Sequence, residues 1–446
     1  MKSSFFIVLG VIALLASNSA ARDEFTLDSI TNIMRHVGEY RLKTGTHAID
    51  NSWIEGAYFA GIMALYSRTK DPKYLDSATA WAQYHNWKIG TQYNGDRTHA
   101  DNHACTQTYC EIFKLNPLPQ NAFMYRDWLA TWLYVGDTLK RRGSQLWSWC
   151  DALFMAPPAV ARLSSVTGTV RFLDTMDVYW WDVTKMLYDT TAHLFFRDAS
   201  YFYPAKKTKN GFKVFWSRGN GWVVAGTARV LDYMASTYPS RPKYEKLLHD
   251  MCAALKAAQG SDGMWHTSLA DYNEFTDPEM SGTCFFCFAM AWCVNKGLLD
   301  RPTYEPVIRK AWSAMVKNVS ADGSVLRVQD VGAAPGPAPV TSPTKAYAEG
   351  AFCLAGDQLY EMLANTGAIS RREGINKTQS PGKIGVIIVA NGIASIELPE
   401  NATGAALYDF RGRLLYKVHA FPALRTIVLP VEKTKSNAFV IRFLFD

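Results

Sequence analysis

The chain has 446 residues, 48% hydrophobic and 20% charged, which is enough apolar material for one large domain with a smaller companion. Its formal charge of +7 is spread out, with no Lys/Arg run interleaved with aromatics to track a phosphate backbone, so a nucleic-acid partner is excluded. The 14 Trp and 22 Tyr suit either a carbohydrate cleft or a large aromatic core, and the mild positive balance suits an anionic small substrate.

Residues 1–21 read as a secretory signal: Lys2, the apolar run Phe5–Ala16, then the small residues Ser19, Ala20 and Ala21 at a cleavage site. That predicts an exported protein, at the cell surface, in the periplasm or secreted. The run is too short for a comfortable membrane span, and no later stretch is long and apolar enough. Export permits disulfides, yet most of the 8 Cys lie inside apolar helical patterns, where a Cys is a small buried hydrophobe. Cys284 and Cys287 form a CxxC with no second ligand pair nearby, and pairing cannot be read from spacing.

Helical periodicity runs from residue 25 to about 368, for example at Ala57–Ser67, Tyr125–Lys140, Val223–Met234 and Phe285–Val294, and residues 22–368 read as one domain. Small or polar groups open successive apolar helices at Trp53-Ile54-Glu55-Gly56, Asp101-Asn102-His103, Cys150-Asp151-Ala152, Gly219-Asn220-Gly221-Trp222, Ser281-Gly282-Thr283 and Ala348-Glu349-Gly350. Several are followed by a second helix with a Tyr and Ala pattern: Tyr74–Ala82, Tyr244–Ala258 and Tyr304–Val316. Hairpins repeated in this way and closed on themselves predict an all-α (α/α)6 barrel, with the inner helices starting at one rim. Their opening residues would then converge on one cleft.

The run Phe215-Trp216-Ser217-Arg218-Gly219-Asn220-Gly221-Trp222 has the chemistry of a pocket for an anionic ring. Arg offers a fork for a carboxylate, Trp a flat wall, and Gly close backbone approach. Asp151 and Asp101 sit at two of the openings. Each is a candidate for proton transfer, because burial favours a neutral carboxyl, or else an ordinary helix cap. His103 is a ligand contact or a capping group. Arg197-Asp198 adds a second positive group or a local ion pair, and Trp265, after Asp262-Gly263, walls the cleft or packs in the core. No His/Asp/Glu cluster has metal spacing and no glycine-rich loop follows a strand, so no metal or other cofactor is expected.

Gly332–Pro343 reads as a surface loop and residues 369–383 as a polar linker. Beyond it the pattern alternates, predicting strands at Val386–Val389, Ser395–Leu398, Ala406–Phe410, Leu414–Val418, Thr426–Leu429 and Ala438–Phe443, with Arg411-Gly412 as a hairpin turn. Residues 384–446 are thus a small β module.

The string Trp216-Ser217-Arg218-Gly219-Asn220-Gly221-Trp222, with Trp149-Cys150-Asp151, Asp101-Asn102-His103, the Asp-Gly-x-Trp turn at 262–265 and Ser281-Gly282-Thr283, resembles glycoside hydrolase family 105 over roughly residues 28–368. That family comprises unsaturated rhamnogalacturonyl hydrolases. The related family 88 shares a similar Trp-x-Arg-Gly string but often differs at the position of Asn220. The resemblance implies an (α/α)6 barrel and a substrate with a 4,5-unsaturated galacturonyl residue at its non-reducing end. By match, Asp151 would protonate C4 of the vinyl ether and then help water add at C5, with Asp101 as the second carboxylate. Trp149, Trp216, Arg218 and Trp222 would surround the ring. Arg197, where some members carry His, and Asn102, where an acidic residue is frequent, depart from the pattern. The tail around Leu407–Tyr416 resembles type IX secretion sorting modules, which implies secretion machinery as a partner; the alternative is an accessory β module. Two other functional readings stay open: family 88-like action on unsaturated glucuronyl sugars, and a carbohydrate-binding protein without turnover.

Overall fold

The computed structural model describes residues 23–44, 50–93, 98–116, 146–341 and 344–373, with six strands between 387 and 444. The leader expected at 1–21, the helix expected at Tyr125–Lys140 and the Arg411-Gly412 turn lie outside the described residues. The chain divides into two units, Met1–Ile369 and Ser370–Asp446.

In the first unit, inner and outer helices alternate. The inner ones are α2 (Trp53–Thr69), α4 (Thr106–Leu115), the pair α5 (Ala152–Met155) and α6 (Pro157–Thr167), α8 (Ser217–Leu231), α10 (Met280–Asn295) and α12 (Ala346–Glu373). The outer ones are α1 (Leu27–Thr44), α3 (Pro72–Tyr84), α7 (Val170–Leu187), α9 (Arg241–Ala257) and α11 (Arg301–Lys317). Sequence explains the sorting. Every residue of α8 is buried, and α10 is apolar on all sides, as a helix covered on both faces must be. The outer helices keep one solvated face.

Around the inner ring α2 meets α4, α4 meets α6, α6 meets α8 and α8 meets α10. Asn295 at the end of α10 donates to the Gln358 carbonyl of α12 at 2.9 Å. The ring closes where α12 crosses α2. A Cβ on Gly61 would lie 2.3 Å from the Gly350 carbonyl oxygen, so only glycine lets these backbones meet.

Side-chain caps are confined to a few helix starts, and outer α7 and α9, after Thr169 and Ser240, have none. Outer α3 and α11 open on Asp71 and Asp300, whose carboxylates accept from Lys73 N and Thr303 N, with Pro in the first turn. Inner α2, α5 and α8 open on Ser52, Asp151 and Trp216, none of which makes a side-chain cap bond. The exception is α10, where Glu279 accepts from Ser281 N and Gly282 N. The inner rim thus leaves polar side chains unspent. Its helices open where the sequence placed them.

The second unit carries β5 (Ile387–Ala390), β6 (Ile393–Glu397), β7 (Gly404–Tyr408), β8 (Leu414–His419), β9 (Thr426–Pro430) and β10 (Val440–Leu444). They form two antiparallel three-stranded sheets, β5-β6-β9 and β10-β7-β8. In the first unit, short pairs β1 (Tyr188–Asp189) with β2 (Leu194–Phe195), and β3 (Trp265–His266) with β4 (Pro278–Glu279), decorate the rim. All eight cysteines are buried and unpaired. No helix among the described residues is long and apolar enough to cross a membrane.

Candidate active site

A cleft at the rim where the inner helices begin is lined by Trp53, Tyr93, Asp101, Trp149, Asp151, Met155, Arg197, Trp216, Arg218, Trp222, Val331 and Gly332. The side chains arrive from separate elements, and each is held by local bonding. Asp151 sits at the start of α5. The segment before it pairs with the chain after β2, through a Trp149–Asp198 bridge and Cys150 N donating to the Arg197 carbonyl at 2.8 Å. That pairing sets Arg197 beside Asp151, with Nε 3.5 Å from Oδ2, while Nη1 lies 2.7 Å from Asp198 Oδ2.

Asp101 lies in the 3-10 turn Ala100–His103, which His99 caps by accepting from Asp101 N, leaving the carboxylate uncommitted to the turn. The His99 ring stacks between Tyr93, centroids 3.7 Å apart, and Trp149, 4.7 Å apart. Burial pushes the Asp101 carboxyl up to about 7, reinforced by the Asp151 charge and opposed by Tyr93 and Trp149 hydrogen bonds and by Arg197. Burial also raises Asp151, against the pull of Arg197 and Arg218.

Arg218 is only 1% exposed. Its Nη1 and Nη2 donate to the carbonyls of Gln329 and Asp330 at 2.8 and 2.7 Å, and its guanidinium lies over the rings of Trp216 and Tyr347. Trp216 Nε1 donates to Gln329 Oε1 at 2.8 Å, and Tyr347 donates to the Gln329 carbonyl at 2.6 Å. The loop read as surface, Gly332–Pro343, therefore begins at the cleft, which Gly332 and the preceding Val331 line, just after the two carbonyls held by Arg218. Trp53 stacks on Tyr347 and meets Trp222 edge-on.

Of the residues singled out from sequence, Asp101, Asp151, Trp149, Arg197, Trp216, Arg218 and Trp222 line this cleft. His103, Asn220 and Trp265 do not, and all three are fully buried. Asn220 is a clamp: Oδ1 accepts from Phe195 N at 2.7 Å, and Nδ2 donates to the carbonyls of Phe195 and Trp216 at 3.0 Å each. Trp265 donates to the Leu255 carbonyl and packs on Phe286. Sequence reading missed Tyr93, Trp53, Met155, Gln329, Val331, Gly332 and Tyr347. Trp53 did open one of the inner helices; the others lie in loops or helix interiors where no periodicity marks them.

Three polar atoms of the lining groups have no hydrogen-bond partner: Asp101 Oδ1, Arg197 Nε and Arg218 Nε. Buried polar atoms are nearly always satisfied, so such a cluster marks a place shaped for a ligand. A second cavity, of about 440 Å³, is lined by residues such as Arg162 and Arg229, near the far ends of the inner helices. There the guanidiniums are spent on Glu111, Gln107 and backbone carbonyls. Of the two, Arg229 lies in the last turn of α8, where a cation is favoured. Among the described residues no group of three or more His, Cys, Asp or Glu is placed to hold a metal ion.

A helical ring whose rim delivers two buried carboxyls, guanidiniums and aromatic walls to one cleft is the equipment of a glycoside hydrolase. The profile of Glycosyl Hydrolase Family 88 matches residues 28–363, and the chain belongs to that family. An "Unsaturated 3S-rhamnoglycuronyl hydrolase" of Formosa agariphila is 36% identical over 323 residues, covering 70% of this chain and 84% of the relative. A protein of the same name from an Alteromonas species is 34% identical over 324 residues, covering 69% and 77%. The solved structure of a family 88 glycosyl hydrolase from Bacteroides vulgatus superposes with a TM-score of 0.71 at 28% identity, covering 76% of this chain and 99% of that one. The chain is a glycoside hydrolase of the unsaturated uronyl type.

Proposed function

We propose that this enzyme releases a 4,5-unsaturated uronyl residue from the non-reducing end of lyase-generated oligosaccharides, with rhamnose as the neighbouring sugar. The observation that carries the reading is the pair Asp101 and Asp151. Both are buried in one cleft, both are raised above the ordinary carboxyl range, and neither is used as a helix cap. Raising a carboxyl favours its protonated form, the form that can donate to substrate. Beta-elimination destroys the C4 stereocentre, so galacturonyl and glucuronyl precursors leave the same unsaturated ring. What separates the substrates is the linkage and the aglycone. The two relatives above are named for rhamnoglycuronyl substrates, which supports rhamnose there; the family 105 resemblance supports rhamnogalacturonan fragments.

In the chemistry proposed here, Asp151 gives its proton to C4, and the cation at C5 is stabilised by the ring oxygen. Water adds at C5 and returns a proton to Asp151. The C5 hemiketal opens by cleavage of its bond to the ring oxygen, leaving a ketone at C5 and a hemiacetal at C1. The hemiacetal expels the aglycone alcohol and becomes an aldehyde. One water is consumed and the enzyme is unchanged. Asp101 holds sugar hydroxyls, and Trp149, Trp216 and Trp222 wall the ring.

The test is loss of the ultraviolet absorbance of the double bond on unsaturated disaccharides whose aglycone is rhamnose, sulfated rhamnose or galacturonate. Rhamnose-linked substrates turn over fastest, and Asp151→Asn lowers the rate by a factor of about 10²–10⁴. Equal rates on all aglycones would remove the rhamnose assignment, and full activity in Asp151→Asn the role of Asp151. Export through the leader at 1–21 and a sorting role for the tail belong to the same proposal. Mass spectrometry of protein from the medium and from cells reads both cleavages.

A further inference from the structure

Two guanidiniums line the cleft, and they are not equivalent. Arg218 is sealed, its outer nitrogens spent on the carbonyls of Gln329 and Asp330. The Arg197 side chain is 28% exposed, and its Nε makes no hydrogen bond although it lies 3.5 Å from Asp151 Oδ2. It is tethered at Nη1 by Asp198, whose own carboxylate accepts from Ser200 N at 2.9 Å. Its backbone is fixed by Cys150 N and, two residues earlier, by the Asn220 clamp. The head group is thus the movable part of a rigid mount. It has one carboxylate as a fixed anchor and the other as a loose contact.

A substrate of the class proposed above brings a carboxylate on C5, next to the carbon that receives the proton. Asp151 must be protonated at that moment, yet in the empty site a guanidinium stands against it and favours the ionised form. We propose that Arg197 is a charge gate: the uronate carboxylate takes over its free N–H, and Asp151, losing its counter-charge while still buried, holds its proton to a higher pH when substrate is bound than in the empty site. The proton goes to C4 and is replaced by one from the water that adds at C5; when product departs, Arg197 returns to Asp151. No net proton is consumed. The other groups facing Asp151 are Arg218 at the start of α8, Asp101 with Tyr93 across the cleft, and the thiol of Cys150, 3.5 Å from Oδ2. Arg218 Nε is also without a partner, but its two outer nitrogens hold the carbonyls of Gln329 and Asp330, so that guanidinium can meet a carboxylate only in place and is not the one that moves. This inference rests on the functional reading above.

The experiment is a pair of pH profiles on an unsaturated rhamnose disaccharide, for wild type and Arg197→Gln. The alkaline limb of kcat/KM reports Asp151 in the free enzyme, and that of kcat reports it in the complex. In the wild type the kcat limb lies at higher pH than the kcat/KM limb. In Arg197→Gln the kcat/KM limb moves up by about one pH unit, which closes most of the gap. KM rises about tenfold or more as a charge-assisted hydrogen bond is lost. A purely structural role would lower the rates and leave the limbs in place. That result, with a fold intact by circular dichroism, overturns the gate alone; no turnover by the wild type on any unsaturated uronide overturns the gate and the functional reading together. Arg197→Lys carries the same test if the glutamine variant does not fold: it keeps the charge without the fork, and an unchanged gap with unchanged KM overturns the gate.

Discussion

Asp101→Asn is expected to make the protein more stable and less active, and the stability gain should grow with pH. In the folded chain the Asp101 carboxyl titrates near 7, against 3.8 for an unperturbed one. A raised value means that the folded state holds the proton more tightly than the unfolded chain does. Below about pH 3.8 both states are protonated and the residue costs nothing extra. From there stability falls by about 1.36 kcal/mol per pH unit until the folded group itself ionises, and it is flat above that. Roughly three units give a penalty of about 4 kcal/mol at pH 8 and about 1.5 kcal/mol at pH 5. The asparagine amide keeps the shape and carries no such penalty. With an unfolding entropy of about 2.1 cal/mol/K per residue over a unit this large, Tm rises by about 5 °C at pH 8 and about 2 °C at pH 5. Thermal melts by circular dichroism at the two pH values read this directly. A gain that is equal at both, or a loss at pH 8, would refute the buried-carboxyl reasoning. Activity falls by about tenfold or more in the same variant, which is the trade expected where a site is held in a costly state for function.

Asn220→Ala leaves the buried N–H and C=O of Phe195 without partners and is expected to cost about 2–4 kcal/mol, seen as a lower urea midpoint. It also lowers kcat/KM, since Arg197 hangs from the same segment; unaltered kinetics would separate the clamp from the site. Gly61→Ala drives a methyl group against the Gly350 carbonyl and is expected to yield little soluble protein, whereas Gly297→Ala, where nothing lies within 4 Å, loses only about 1–2 kcal/mol from its left-handed backbone. Equal yields and Tm values for the two would refute close helix contact as the reason for glycine at 61.

The sequence alone determined the layers and the rim. Inner α10 announces itself by being apolar all round from Met280 to Cys293, and outer α11 by an Asp cap, a proline and a solvated face at Asp300 and Pro302, whereas inner α4 keeps an amphipathic pattern with Lys114 and Leu115 exposed. Polar groups that interrupt the apolar pattern mark where the inner helices begin, because a polar residue there is either a cap or a ligand group. Local pattern could not say which. Asp71 is a cap, spent on Lys73 N two residues on, and Asp151 is not: its carboxylate faces Arg197, which lies far along the chain. For the same reason Trp222 and Trp265 look alike in sequence, yet one faces the cleft and the other is locked to the Leu255 carbonyl. Loop residues such as Tyr93 and Val331 carry no periodicity at all: Tyr93 reaches Asp101 through a local stack on His99, and Val331 reaches Arg218 only once the ring has closed. Periodicity is a property of one helix and can be read from its own residues. Which carboxyl is left unspent, and which guanidinium is free to move, are properties of contacts that exist only once the ring has closed.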